Sequence, residues 1–210
     1  MRHCLKQFLV LVDTLLLGRR IAAMHAEGAN RIKIVIDPMR RLRRPHILDD
    51  FCRRLEPYYE NIQCWEDPFD RGNLDWYRMM HEKIHFPLAL HLGGAREVIE
   101  VVKAEACGYL KLGGTMNNFR KTAAIAECAV IPVWHGSGVG MGISEVAILH
   151  VSAATKDCTL SSDVVGEKLR ADDLIVEPIR FGDGYAFVPQ GPGLGVELDM
   201  AAVERFGVRG

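Results

Sequence analysis

Five side chains able to hold a metal ion or move a proton recur through the chain, each some twenty to thirty residues after the last. They are Asp37, Glu66, His91, Lys111 and His135. Each closes a short apolar run, and each is followed by a turn that carries Gly or Pro, as in Asp37-Pro38, Glu66-Asp67-Pro68 and His135-Gly136. Brought to one mouth, side chains of these types are chemically capable together. A lysine or histidine beside them is a general acid or base. Taken singly, each has a plainer reading: an acid after a strand caps the next helix, a histidine is a satisfied polar residue, a lysine is a solvated turn residue. Their recurrence at five successive ends of apolar runs argues for a common site.

The elements that position them alternate. Strands are expected at Ile32 to Asp37, Asn61 to Glu66, Pro87 to His91, Gly108 to Leu112 and Ile131 to His135. Between them lie stretches with helical spacing of apolar residues: Leu48, Phe51, Cys52 and Leu55; Val98, Val101 and Val102; Phe119, Ala123 and Ala126. Strands alternating with helices of this length predict βα units and a parallel sheet. An open doubly wound sheet spreads its strand ends along one edge. A (β/α) barrel gathers them in a ring at one mouth, and five chemically capable strand ends favour the barrel.

Composition narrows the class. The chain has 210 residues, 49% hydrophobic and 25% charged, as expected of one globular domain over residues 1–210. Its formal net charge of −1 argues against a nucleic-acid partner. No apolar run reaches the roughly 18 residues of a membrane span. The basic start before Phe8 to Val12 has the look of a secretory signal, but Asp13 interrupts the run and Arg19-Arg20 follow it. A buried strand and helix start is the preferred reading. The six cysteines form no CxxC pair and read as reduced, mostly buried thiols of a cytoplasmic protein.

At these strand ends the sequence resembles the enolase superfamily, in its mandelate racemase and muconate lactonizing enzyme branch. The resemblance rests on Ile36-Asp37-Pro38, Trp65-Glu66-Asp67-Pro68, Pro87 to His91, Leu110-Lys111-Leu112-Gly113-Gly114, Ala124 to Glu127 and Ile131-Pro132-Val133-Trp134-His135. Asp183-Gly184, Val188-Pro189 and Pro192-Gly193-Leu194-Gly195-Val196 extend it, so that it covers about residues 20–206. The resemblance implies an enolase-like C-terminal TIM-type barrel and divalent-metal-dependent abstraction of the proton beside a substrate carboxylate. The metal there stabilises the resulting enediolate. Racemases, acid-sugar dehydratases and cycloisomerases share this chemistry.

Carried over residue by residue, the metal ligands are Asp37, Glu66 and the end of the next strand. Family members place an acid there; this sequence has His91. Magnesium prefers hard oxygen ligands, so His91 moves the expectation toward manganese, iron or zinc. Lys111 and His135 are the acid/base candidates, with burial beside a metal expected to lower the Lys111 pKa. The Asp that partners the histidine in racemase-like relatives is matched here by Gly108. Relatives also carry an N-terminal capping domain that nothing in this sequence matches. The barrel is expected to be incomplete at its start, with Leu5 to Val12 and Leu15 to His25 as a remnant strand and helix and Lys6 a residual base candidate.

The implied partners are a small carboxylate substrate and further copies of the chain. The alternative is an impaired barrel homologue that binds a small anion or acts as a scaffold; a hydrolase or aldolase on the same barrel is a third reading. Two loops carry further expectations. Arg40-Arg41-Leu42-Arg43-Arg44 lies beside the mouth, either to steer anions or as a solvated loop paired to Asp49, Asp50 or Glu56. The glycines of Gly136 to Gly142 either bring backbone N–H groups to an anion or form a flexible turn. Trp65 and Trp76 are expected to be packing residues.

Overall fold

The computed structural model describes residue 19 and residues 21–24, 33–164, 166 and 169–207. Cys4, Lys6, the strand expected at Leu5 to Val12 and Ile32 lie outside them. Of the helix expected at Leu15 to His25, residue 19 and residues 21–24 are helical, and Ile21 packs into the main core.

Among the described residues five parallel strands form one sheet: β1 (Ile34–Ile36), β2 (Ile62–Glu66), β3 (Leu88–Leu92), β4 (Tyr109–Leu112) and β5 (Val133–His135). Their spatial order is their chain order, as a barrel wall requires. The helices that return the chain are α1 (Pro45–Leu55), α2 (Leu74–Lys83), α3 (Ala95–Lys103), α4 (Met116–Cys128) and α5 (Gly142–Ala153). No helix among the described residues is long and apolar enough to cross a membrane.

Local chemistry explains where the helices begin. Pro45 opens α1, where its missing N–H costs nothing. Thr115 accepts a hydrogen bond from the Asn118 N–H at the start of α4, and the Glu97 carboxylate accepts from the Gly93 and Gly94 N–H groups at the start of α3. Along α1, Leu48, Cys52 and Leu55 fall on one buried stripe at helical spacing.

Strand residues alternate between two faces. Ile34, Ile36, Trp65, Leu88, Leu90, Leu92, Leu110, Leu112 and Val133 face the helices and build the main core. Val35, Cys64, Ala89 and Trp134 pack together on the barrel side, joined by Tyr109 and Leu160. Trp65 stacks on Phe51 with ring centroids 6.0 Å apart, and Trp76 meets the edge of Phe69 at 5.8 Å, so both are packing residues. Cys52, Cys64, Cys107 and Cys158 are buried and Cys128 is exposed, and none of these five is in a disulfide.

Beyond α5, residues 157–163 run beside β5. Val133 donates to the Asp157 carbonyl at 3.0 Å, and the Ser162 hydroxyl donates to the His135 carbonyl. A short hairpin of β6 (Phe181–Gly182) and β7 (Tyr185–Ala186) turns through Asp183 and Gly184, both at positive φ. Helix α6 (Met200–Phe206), capped by Asp199, follows. This segment packs on α5 through Val146, Ile148, Leu149, Val164, Ile175 and Ile179.

Candidate functional site

The barrel-side rows of Val35, Cys64, Ala89 and Tyr109 continue two residues further to Asp37, Glu66, His91 and Lys111. The strand register sets them side by side: Ile36 lies opposite Trp65, Glu66 opposite Ala89, and His91 opposite Lys111. Four of the five expected residues therefore share one face at the C-terminal end of the sheet.

Lys111 is the centre of the group. Its Nζ lies 2.9 Å from Glu66 Oε1 and 3.3 Å from Asp163 Oδ2, and its side chain is only 7% exposed. Glu66 is buried, and its Oε2 has no hydrogen-bond partner. Burial pushes the Glu66 carboxyl up to about 7, against the lowering pull of the Lys111 ammonium. For Lys111 itself burial pulls downward, but Asp163 and Glu66 outweigh it, so the amine is raised and stays protonated. Two flanking carboxylates overcome desolvation.

His91 is half-buried, with Nδ1 3.8 Å from Glu66 Oε1. Burial, then the nearby Lys111 charge, holds its imidazole down to about 4, so it is neutral at neutral pH. Asp37 is buried just past β1, and its Oδ1 accepts the Met39 N–H at 2.7 Å. Burial raises its carboxyl, the Met39 hydrogen bond opposes that, and Asp67 adds to the rise.

Two residues of the cluster escaped the sequence reading. Asp67 stands at the left-handed φ of 43° that Asp tolerates better than most residues. It accepts Arg71 Nε at 2.9 Å and Nη2 at 2.5 Å with one oxygen, and the His91 N–H at 3.0 Å with the other. Its place beside Glu66 in Glu66-Asp67-Pro68 was the available signal. Asp163 comes from the segment beside β5, whose Thr159-Leu160-Ser161-Ser162 is too polar to read as a strand. Its Oδ1 accepts the Ser137 N–H at 3.0 Å. The glycine-rich loop does bring a backbone N–H to an anion, and that anion belongs to the chain itself.

His135 is not with the others. It follows Trp134, so alternation turns it to the helix side, where its ring lies 4.5 Å from that of Phe119 on α4. Its Nδ1 is 2.7 Å from the Gly136 carbonyl, and burial lowers its pKa. The expected acid/base pair of Lys111 and His135 does not assemble, because the two side chains leave opposite faces of the sheet.

The expected metal ligands do not assemble either. Among the described residues, no three His, Cys, Asp or Glu side chains are gathered closely enough to share an ion. The Lys111 ammonium holds the Glu66 oxygen that an ion would need. As placed, Asp37, Glu66 and His91 do not fit a divalent cation.

Comparison with known proteins fits this architecture. Residues 18–202 match the family described as Enolase C-terminal domain-like. A muconate cycloisomerase 1 of Rhodococcus opacus is 35% identical over 120 residues, covering 57% of this chain and 30% of that protein. A chloromuconate cycloisomerase of Cupriavidus pinatubonensis is 28% identical over 195 residues, covering 90% of this chain and 51% of that protein. The chain thus spans about half or less of the length of these curated relatives. A crystal structure of muconate cycloisomerase from Pseudomonas fluorescens superposes with a TM-score of 0.84 at 20% identity, over 96% of this chain and 56% of that one. The likeness establishes an enolase-like C-terminal barrel, of which the parallel sheet forms about half.

Proposed function

The chain belongs to the enolase C-terminal domain-like family, and on that premise we propose that its strand-end cluster moves a proton at the carbon beside a substrate carboxylate. Isomerases and lyases of the muconate cycloisomerase type carry out this class of reaction. One observation carries the reading: a buried ammonium, Lys111, is held 2.9 Å from a buried carboxylate, Glu66, at the C-terminal ends of parallel strands. Active sites of barrels lie at that end.

The chemistry follows from the charges. Lys111 is a protonated donor that attracts a substrate carboxylate and stabilises negative charge as it develops on it. Glu66, near pKa 7, is ionised enough to accept a proton yet basic enough to hold it. Its unpartnered Oε2 is the accepting atom. The proton leaves carbon for Glu66, and the electron pair moves into the carboxylate facing Lys111. It then returns to carbon or expels a group from the neighbouring atom.

A panel of muconate-type dicarboxylates, muconolactones, N-acylamino acids and acid sugars in deuterium oxide tests this, each with and without added magnesium or manganese. Exchange at the α-carbon is expected, rising with pH through the Glu66 transition near 7. Glu66→Gln and Lys111→Ala should each slow it by about 10²–10⁴-fold. Absence of exchange across the panel while the anions still bind would overturn the catalytic reading in favour of an anion-binding barrel.

A further inference from the structure

The cluster contains more than an acid and a base: every carboxylate in it already has a cation or a backbone donor. Asp67 is taken by Arg71 and the His91 N–H, Asp37 by the Met39 N–H, and Glu66 and Asp163 by Lys111. The strand end that donates a third acid in the resembling family here bears His91, which adds no negative charge. The cradle around Lys111 is also shaped for it. A β-carbon at Gly136 would lie 2.6 Å from Lys111 Cε and 3.3 Å from Cγ, so the bare backbone just past β5 makes room for the lysine stem. Asp163 is oriented independently, by the Ser137 N–H of the loop that follows.

We propose that the Lys111 ammonium is the resident cation of this mouth, standing where a divalent ion would otherwise neutralise Glu66, so that the chain takes up no divalent ion at Asp37, Glu66 and His91 until that ammonium is removed. A divalent ion touching Glu66 would sit within a few ångströms of a buried like charge. Removing the ammonium leaves two buried carboxylates, Glu66 and Asp163, facing each other uncompensated, with His91 3.8 Å from one of them. Such a set draws in a cation rather than remain exposed to its own repulsion.

The test is a manganese titration followed by electron paramagnetic resonance on the full chain, with no substrate and no turnover. It therefore stands apart from the exchange assay, and either reading can fail alone. Wild type is expected to bind no manganese that Glu66→Gln releases. Lys111→Met should gain one manganese per chain, with affinity raised at least roughly a hundredfold, and lose it again in Lys111→Met/Glu66→Gln. Lys111→Gln, closer in polarity, repeats the measurement should Lys111→Met fail to fold by circular dichroism. Manganese bound to wild type and released by Glu66→Gln overturns the proposal, as does a folded Lys111 variant that takes up none. If neither variant folds, the wild-type titration decides.

Discussion

At the scale of single residues, the site depends on an absent side chain as much as on those present. Gly136 leaves the space that the Lys111 stem occupies, and any β-carbon there meets Cε at 2.6 Å. Gly136→Ala is therefore expected to displace the ammonium from Glu66 and to destabilise the fold by about 1–3 kcal/mol, the usual cost of overpacking. Loss of α-carbon exchange with the fold retained, read by urea titration beside the exchange assay, is the expected pattern. His135 offers a cleaner pH measurement. Burial favours its neutral form, so below its ordinary pKa of 6.5 the unfolded chain binds the proton that the folded chain refuses. Stability from this residue is complete above that pH and is lost as pH falls below it. His135→Leu should flatten the acid-side decline in urea midpoint; an unchanged slope would assign the decline to other groups.

At the scale of elements, the loop from β1 to α1 is pinned rather than loose. The Arg40 N–H donates to the Asp67 carbonyl at 2.8 Å and the Leu42 N–H to the Pro68 carbonyl at 3.1 Å, with Met39 and Arg40 both at positive φ. The acids once set against its arginines are engaged elsewhere: Asp50 with Arg54 at 2.7 Å, Asp49 with Lys83 at 3.0 Å, Glu56 with His85 at 3.0 Å. Among the described residues, Arg40, Arg41, Arg43 and Arg44 form no ion pair. The pairs of the solvated-loop reading are therefore not formed, and anion steering by the four charges remains a proposal that substitution tests. Replacing all four by Gln should weaken binding of a muconate-type dianion by roughly tenfold at low salt and flatten its salt dependence. Stability should change by no more than about 0.5 kcal/mol. Binding that keeps its full salt dependence would retire the steering role.

At the scale of the whole molecule, the mouth stays in place because two apolar layers lock the strands beneath it. Leu110, fully buried at the centre of β4, anchors the helix-side layer next to Lys111. Leu110→Ala should cost about 2–5 kcal/mol, lowering the thermal midpoint well before it alters exchange in the surviving folded fraction. Much of this architecture is legible in the sequence. The five strands fall within two residues of their expected bounds wherever they are described, because β-branched and apolar runs alternating with helical stripes leave few other arrangements. That Asp37, Glu66, His91 and Lys111 stand together at the strand ends is equally legible, since each closes an apolar run on the same parity of its strand.

Two things were not legible. The first is which face each strand end turns to. Alternation along β5 sends Trp134 inward and His135 to Phe119, and that parity is set by pairing with β4, through Lys111 opposite Trp134 and Leu112 opposite His135. The second is who neutralises whom. Asp163 reaches Lys111 from more than fifty residues away, on a segment whose polar composition hides its place beside β5. The order of strands and the identity of the strand-end side chains are local properties, written in spacing and residue type. The facing of His135, the protonation of Lys111 and the fate of the expected metal ligands arise from long-range register and mutual electrostatics, which exist only once the strands have paired.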